Sequence, residues 1–333
     1  MKKNKHLLLS LITLFFSTLS IGQDSTKTAY SLMFYNVENL FDCVDDSLKQ
    51  DEEFLPLGDK RWNEHRLYRK VQGLSKTILA INEWQPPTLI ALCEVENAEV
   101  LKKLIYQTGL SALNYRYIHF ESPDRRGIDV ALLYRSAHFD TLHTTTIVTS
   151  NTTEHFFTRD ALYVKGCIGH DTLHIVVNHW PSKRGGTVAS EYKRMTVSRI
   201  IAARLDSIRR AAPHSKLVVM GDFNADLEAP SLQHLMKTAG LQSSLEAMRK
   251  TPKKASGSYK YQGNWSYIDH ILLDAEWLKN PTYEFSLHLA ELPFLLETDK
   301  QYSGYKPKRS YAGPRYIGGI SDHLPLLLKI NKQ

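Results

Sequence analysis

Leu217-Val218-Val219-Met220-Gly221-Asp222-Phe223-Asn224-Ala225 is the stretch on which this 333-residue chain turns. Four consecutive apolar residues suit a buried strand, and the Gly-Asp-x-Asn that follows ends it with a carboxylate and an amide. About a hundred residues later the pattern recurs as Ile320-Ser321-Asp322-His323-Leu324-Pro325, beside a second apolar run at 326–330. There a metal-seeking carboxylate stands next to an imidazole. Together the two stretches suggest metal-assisted attack on a phosphate ester.

Working outward, apolar strands are expected at 29–35, 88–93, 115–119, 130–134, 162–168, 173–177, 217–220, 266–273 and 326–330. Helical periodicity falls at 62–84, where Leu67, Val71, Leu74, Ile78 and Ile81 share a face, and at 99–108, 189–211 and 231–238. Pro86-Pro87 stop the first helix. The stretches 248–264 and 297–319, rich in Lys, Ser, Gly, Tyr and Pro, are expected to be long surface loops of the kind that carry function. Strands and helices alternate in both halves without a linker. The expected fold is therefore one α/β domain, with two packed sheets and helices outside.

Five polar sites follow predicted strands: Asn36, Glu94, Asn178/His179, Asp222/Asn224 and Asp322/His323; a sixth, Asp269, lies inside one. Strand ends on one rim of a sandwich can assemble a single pocket. Carboxylate and amide oxygens without thiolates form a hard donor set for Mg²⁺, Mn²⁺ or Ca²⁺. A metal at Glu94 would polarise a phosphoryl oxygen, and Asp222 with Asn224 would orient a water. His323, paired with Asp269, would either hold an imidazolium against the phosphate or take a proton from the water. Each residue also has a bland reading. Glu94 alone is a solvated strand-end acid, and Asp222 or Asn224 alone is an Asx-turn or helix cap. His270 faces the opposite side of its strand from Asp269 and reads as structural or exposed. Glu38 and Glu96 either line the pocket or end their strands.

Taken in order, Tyr35-Asn36-Val37-Glu38-Asn39, Cys93-Glu94-Val95-Glu96-Asn97, Arg126-Gly127-Ile128-Asp129-Val130-Ala131, Asn178-His179-Trp180, Gly221-Asp222-Phe223-Asn224, Ile268-Asp269-His270-Ile271 and Ser321-Asp322-His323 resemble the endonuclease/exonuclease/phosphatase family, the deoxyribonuclease I-like fold. One such motif is weak; seven in order are specific. The resemblance implies a four-layered α/β sandwich and a divalent-metal phosphoesterase. It also implies Glu94 as the principal metal ligand with Asn36 and Asp322 close by, Asp222 and Asn224 on water and phosphate, and Asp269 orienting His323. His179 matches an additional active-site histidine of many members, and Asp129 is expected to position it. Cys93, where many members have Gln, is expected to point into the core.

The basic stretches Lys183-Arg184-Gly185-Gly186 and Lys306-Pro307-Lys308-Arg309 are solvated loops or overhang the pocket. With Tyr302, Tyr305, Tyr311 and Tyr316, the second mixes cations with stacking surfaces, as a polyanion binder would. Asn178, Asp129, Arg126, Lys183, Arg184, Arg309 and Arg315 are the expected substrate contacts. The favoured substrate is nucleic acid, DNA ahead of RNA, cleaved by direct water attack. A phospholipid head group, sugar phosphate or other small phosphoester on the same fold is the alternative. A non-catalytic binding protein on this scaffold would lack one of the motif residues, and all are present.

The first 22 residues read differently. Lys2, Lys3 and Lys5 precede the apolar run 7–16, and Ser20-Ile21-Gly22 is a small-x-small site before Gln23. This is the pattern of a cleaved signal peptide, too short to span a bilayer comfortably. A single domain from residue 23 to 333, exported to a periplasm or secreted, is the expectation, with no membrane span after cleavage and a monomer as its state. Loss of that segment removes three lysines and no acids, so the formal charge falls from +7 to +4. A mild positive excess is compatible with a polyanionic substrate but does not demonstrate one. Cys43, Cys93 and Cys167 are odd in number and scattered, which disfavours a disulfide framework or a zinc site; the latter two are expected to be buried thiols.

Overall fold

The computed structural model describes residues 29–150, 157–183, 185–248 and 254–333, so the segment expected to be a signal peptide and Arg184 lie outside the described residues. Twelve strands build two six-stranded sheets. The first contains β1 (Ala29–Leu40), β2 (Leu89–Val95), β3 (Tyr115–His119) and β4 (Asp129–Arg135). The second opens with β5 (Asp140–Ile147), β6 (Ala161–Ile168), β7 (Asp171–His179), β8 (Lys216–Asp222), β9 (Leu241–Ser243) and β10 (Asp269–Asp274). The chain then returns to the first sheet as β11 (Tyr283–Leu289) and β12 (Leu326–Lys332). Spatial orders are β11-β12-β1-β2-β4-β3 and β5-β6-β7-β8-β10-β9. Both sheets are mixed: β1 runs parallel to β2, and β7 to β8, with antiparallel neighbours around them.

Both faces of each central strand are apolar, and alternation decides what each residue packs against. Leu32 and Phe34 of β1 meet Val218 and Met220 of β8 in the core between the sheets. Met33 and Tyr35 turn outward beneath α1 (Glu64–Ala80) and α2 (Ala98–Tyr106). Leu217 and Val219 turn outward beneath α3 (Thr187–Ala211) and α4 (Pro230–Ala239). The result is the four-layered α/β sandwich expected. Cys93 lies in the inter-sheet core as expected, whereas Cys167 is only half-buried; all three cysteines are free thiols.

Three strands escape the sequence pattern. β5 is Asp140–Ile147, mostly exposed and threonine-rich; β9 is three residues long; β11 carries Glu284, Ser286 and His288 at alternate positions. Each is the outermost strand on its side of a sheet, where one flank lacks a neighbour and polar residues are tolerated. The first helix ends at Ala80, and Trp84 stands exposed in a turn with positive φ. The expected loops contain three small hairpins, pairing Tyr259–Tyr261 with Asn264–Ser266, Leu296–Thr298 with Tyr305–Pro307, and Tyr311–Ala312 with Arg315–Tyr316. Among the described residues, no helix is long and apolar enough to cross a membrane.

Candidate active site

Strand register draws the motif residues to one rim. On the second sheet His179 is opposite Asp222, and Asp222 is opposite Asp269, so the three form a row across β7, β8 and β10. All share the parity of Val177, Met220 and Ile271, and therefore face the first sheet. On the first sheet Asn36 is opposite Cys93, and the Phe34–Leu326 pair sets the preceding turn beside Asn36. There the Ser321 hydroxyl donates to the Asn36 carbonyl at 2.7 Å and accepts from the His323 amide at 3.0 Å, fixing the Ser-Asp-His turn.

Glu94 sits where the β2 ladder slips between Cys93 and Val95, with φ of 62°. Glu38, Asn39 and Asn224 are also left-handed, at 50°, 55° and 48°. Four non-glycine residues in that region at one rim mark a site held in a costly backbone shape by its surroundings. Among the restraints, Glu94 Oε2 accepts from the Asn39 amide at 2.8 Å, and Asp222 Oδ1 accepts from the Asn224 amide at 2.8 Å.

Between the sheets' rims lies a cleft of about 1110 Å³. Glu94, Asp222, Asn224, His179, Asp322 and His323 line it, as the motifs require. His323 Nδ1 bonds Asp269 Oδ2 at 2.7 Å, and its Nε2 lies 3.9 Å from Asp222 Oδ2 and 4.0 Å from Asp322 Oδ1. Burial alone would discharge His323, but the Asp269 charge and hydrogen bond, then Asp222 and Asp322, outweigh it and push the imidazole up to about 10. Asp222 moves the other way in function: burial and the Asp269 charge raise it to about 7, against the pull of His323. His179 Nε2 is 3.7 Å from Asp222 Oδ2, and burial, with Arg159 and Arg126 nearby, holds it neutral, well below its usual range.

Asn36 is brought to the centre but not as an oxygen donor. Its Oδ1 accepts from the Glu38 amide at 2.9 Å, while its Nδ2 donates to Asp222 Oδ2 at 3.0 Å and approaches Glu94 Oε1 at 3.4 Å. This orientation makes Asn36 a link between two carboxylates. Glu94 and Asp322 open carboxylate oxygens on the cleft, the hard donor type a divalent ion takes, with Arg309 bonded to Asp322 Oδ2 at 2.5 Å; the donor atoms gathered within 4.8 Å of one another at this rim are those of Asp222, Asp269 and His323.

Several expected contacts fall elsewhere, for one geometric reason. Asn178 and Asp129 have the opposite parity to the inward-facing rows, so they cannot reach the inter-sheet rim. Asn178 is buried and donates to the Met220 carbonyl at 3.0 Å. Asp129 faces outward near His119, and His179 Nδ1 is left without a hydrogen-bond partner. Arg315 sits exposed in its small hairpin and does not line the cleft. Glu96 is buried against the Asp42 amide at 2.6 Å and is structural; Glu38 does line the cleft, its pKa raised by burial to about 8. His270 is structural as expected but fully buried, bonding the Ala225 carbonyl at 2.9 Å.

Arg126, Lys183 and Arg309 line the cleft as expected, joined by Lys60 and Arg159, which no motif marked. Of the tyrosines singled out, only Tyr311 reaches it. Tyr259 and Tyr261 arrive instead from the 259–266 hairpin, and the Tyr259 ring lies 4.8 Å from that of His323. Lys70 was also missed. Its buried ammonium donates to the Glu38 carbonyl at 2.5 Å, Ser310 Oγ at 2.8 Å and the Ile320 carbonyl at 3.1 Å, tying three rim segments to α1.

The chain resembles an endonuclease/exonuclease/phosphatase family protein from Bacteroides thetaiotaomicron at 14% identity, covering 92% of this chain and 96% of that one, with a TM-score of 0.61. The human Nocturnin catalytic domain with bound sulfate is similar at 18% identity, 92% and 95% coverage and a TM-score of 0.55. A mannosyl-6-phosphatase of Bacteroides thetaiotaomicron is similar at 13% identity, 90% and 99% coverage and 0.56. At these identities the likeness shows the fold. No curated protein matches the sequence. The sequence model of the Endonuclease/Exonuclease/phosphatase family matches residues 31–332, nearly the whole described chain, and the protein belongs to that family of phosphoester hydrolases.

Proposed function

We propose that this protein is an exported, Mg²⁺- or Mn²⁺-dependent phosphodiesterase that cleaves nucleic acid. The observation that carries the reading is that five cations, Lys60, Arg126, Arg159, Lys183 and Arg309, line the same cleft of about 1110 Å³ as Glu94, Asp222 and Asp322. That volume exceeds what one phosphate needs and suits a polyanion with flanking sugars and bases. Tyr259 and Tyr261 supply stacking faces beside the cations. Export rests on the lysine-then-apolar leader.

Glu94 and Asp322 would hold the divalent ion, which when bound polarises a phosphoryl oxygen. Asp222, poised near neutrality, takes the proton of an in-line water as the new oxygen–phosphorus bond forms, and the ester bond breaks to release an oxygen that takes up a proton from solvent water. His323, kept cationic by Asp269, stabilises charge on the phosphoryl oxygens rather than acting as the base. Neutral His179 stands on the other side of Asp222, its Nε2 3.7 Å from Oδ2 and free to donate to a phosphoryl oxygen.

A small-phosphoester reading is supported by the similar fold of a mannosyl-6-phosphatase and by the hairpin that roofs His323 with Tyr259. Hydrolysis of plasmid DNA, RNA and a panel of small phosphoesters, with Mg²⁺, Mn²⁺ or EDTA, separates the two. Metal-dependent cleavage of polynucleotide, abolished in His323→Ala, is expected. Turnover of a small ester with no polynucleotide cleavage would replace the nuclease reading.

A further inference from the structure

Outside the cleft, three ligand-type side chains converge on the outer face of the first sheet. His119 on β3 is opposite Ala131 on β4, and Asp129 lies two residues before Ala131, so the two side chains share that face. Glu121 follows from the exposed end of β3. One donor atom from each residue lies within 4.8 Å of the others. His119 Nε2 and Asp129 Oδ2 are 3.7 Å apart, beyond hydrogen-bonding reach, with side chains only 4% and 1% exposed.

What these atoms lack is a partner. His119 Nε2 and both oxygens of Asp129 are buried without a hydrogen bond. Ser122 and Glu121 approach Asp129 without reaching hydrogen-bond geometry. The nearest cation, Lys49, is committed to the carbonyls of Ser122 at 2.7 Å and Asp124 at 3.3 Å. Three orphaned polar atoms aimed at one another are expensive unless something sits between them.

We propose that His119, Glu121 and Asp129 form a second metal site, separate from Glu94 and Asp322, that takes a borderline divalent ion such as Zn²⁺. One imidazole with two carboxylates suits zinc, while the nitrogen donor disfavours calcium. Two atoms bound tetrahedrally to zinc at about 2.0–2.2 Å stand roughly 3.3–3.6 Å apart, so a small inward shift of these side chains would bring three donors to bonding distance and leave the fourth position to water. The segment between these ligands carries Arg126, which reaches the cleft and bonds the Asn39 side chain. An ion here would therefore fix the loop that presents one of the substrate-facing cations.

Calorimetric titration with Zn²⁺ tests the site independently of catalysis, in a Glu94→Ala/Asp322→Ala/His323→Ala background that disrupts the cleft's own donors, the Asp222, Asp269 and His323 cluster included. One zinc equivalent is expected in that background. Binding should weaken at least tenfold in Glu121→Gln, an exposed position that leaves the core untouched, and vanish in His119→Gln. Absence of a zinc equivalent, or binding unchanged by Glu121→Gln, would overturn the proposal; if His119→Gln fails to fold by circular dichroism, Glu121→Gln decides. Phosphoesterase activity in the unmodified protein is a separate readout, so failure here leaves that reading standing.

Discussion

At His323 and Asp222, two buried groups 3.9 Å apart, the imidazole is held cationic while the carboxyl loses its proton around neutrality, and that difference separates their roles. The rate should rise as Asp222 loses its proton, through about pH 7 or lower once a cation is nearby, and fall as His323 discharges near pH 10. In Asp269→Asn the largest influence raising His323 disappears, so the alkaline limb of a pH–rate profile should move toward neutrality and kcat should fall by roughly 10²–10⁴. An unmoved alkaline limb would remove His323 from the reaction. The stability sign is also determined. A histidine raised above its unfolded value of about 6.5 contributes fully below that pH and loses its contribution as pH climbs through about 10. Breaking the buried pair in Asp269→Asn should cost on the order of 3–5 kcal/mol at pH 6 in urea titrations, and less above pH 10.

At the scale of the element, the β2 bulge converts a strand end into a ligand platform. Glu94 turns left-handed there, and an alanine at this position would keep that strain while losing the Glu94 hydrogen bonds. Glu94→Gly should therefore be more stable than Glu94→Ala by roughly 0.5–1 kcal/mol in denaturant titration, although neither should turn over substrate. Equal stability, or alanine ahead, would mean the backbone relaxes once the side chain is gone. Elements also explain how far the sequence could be read. Inward strands were legible because both faces are apolar, and Glu94, Asp222, Asp269 and His323 stood at their ends. Strand parity, the argument that correctly turned His270 away from Asp269, also turns Asn178 away from His179 and Asp129 away from the rim. β5 was invisible for a different reason: threonines on an edge strand satisfy a sheet without writing an apolar run. Lys60, Arg159 and Tyr259 reach the cleft through tertiary placement of loops and hairpins, which no local pattern encodes.

For the whole molecule, the formal charge of +7 says less than where the cations stand. Five face the cleft, yet several are partly spent: Arg309 on Asp322, Arg159 on Asp124, and Lys183 on Asp226 at 2.5, 3.0 and 3.4 Å. Lys183 and Asp226 are both about half exposed, so salt screens that pair and leaves the lysine free to meet a phosphate. A polynucleotide spanning the cleft would displace counterions at each phosphate contacted, whereas a small monoester offers one phosphate. The logarithm of kcat/KM against the logarithm of salt concentration should therefore fall with a slope of about −2 to −4 for single- or double-stranded DNA, at roughly 0.7–0.9 per contact. For a small ester the same plot should slope no more steeply than about −1. On the nuclease reading, in which half-exposed Lys183 meets a phosphate other than the one attacked, Lys183→Ala should flatten the polynucleotide slope by up to about one contact while leaving the small-ester slope unchanged. If both substrates give the same shallow slope, the cleft's cations serve the reacting phosphate alone, and the enzyme is a small-phosphoester hydrolase whose tyrosine hairpin closes over one ligand.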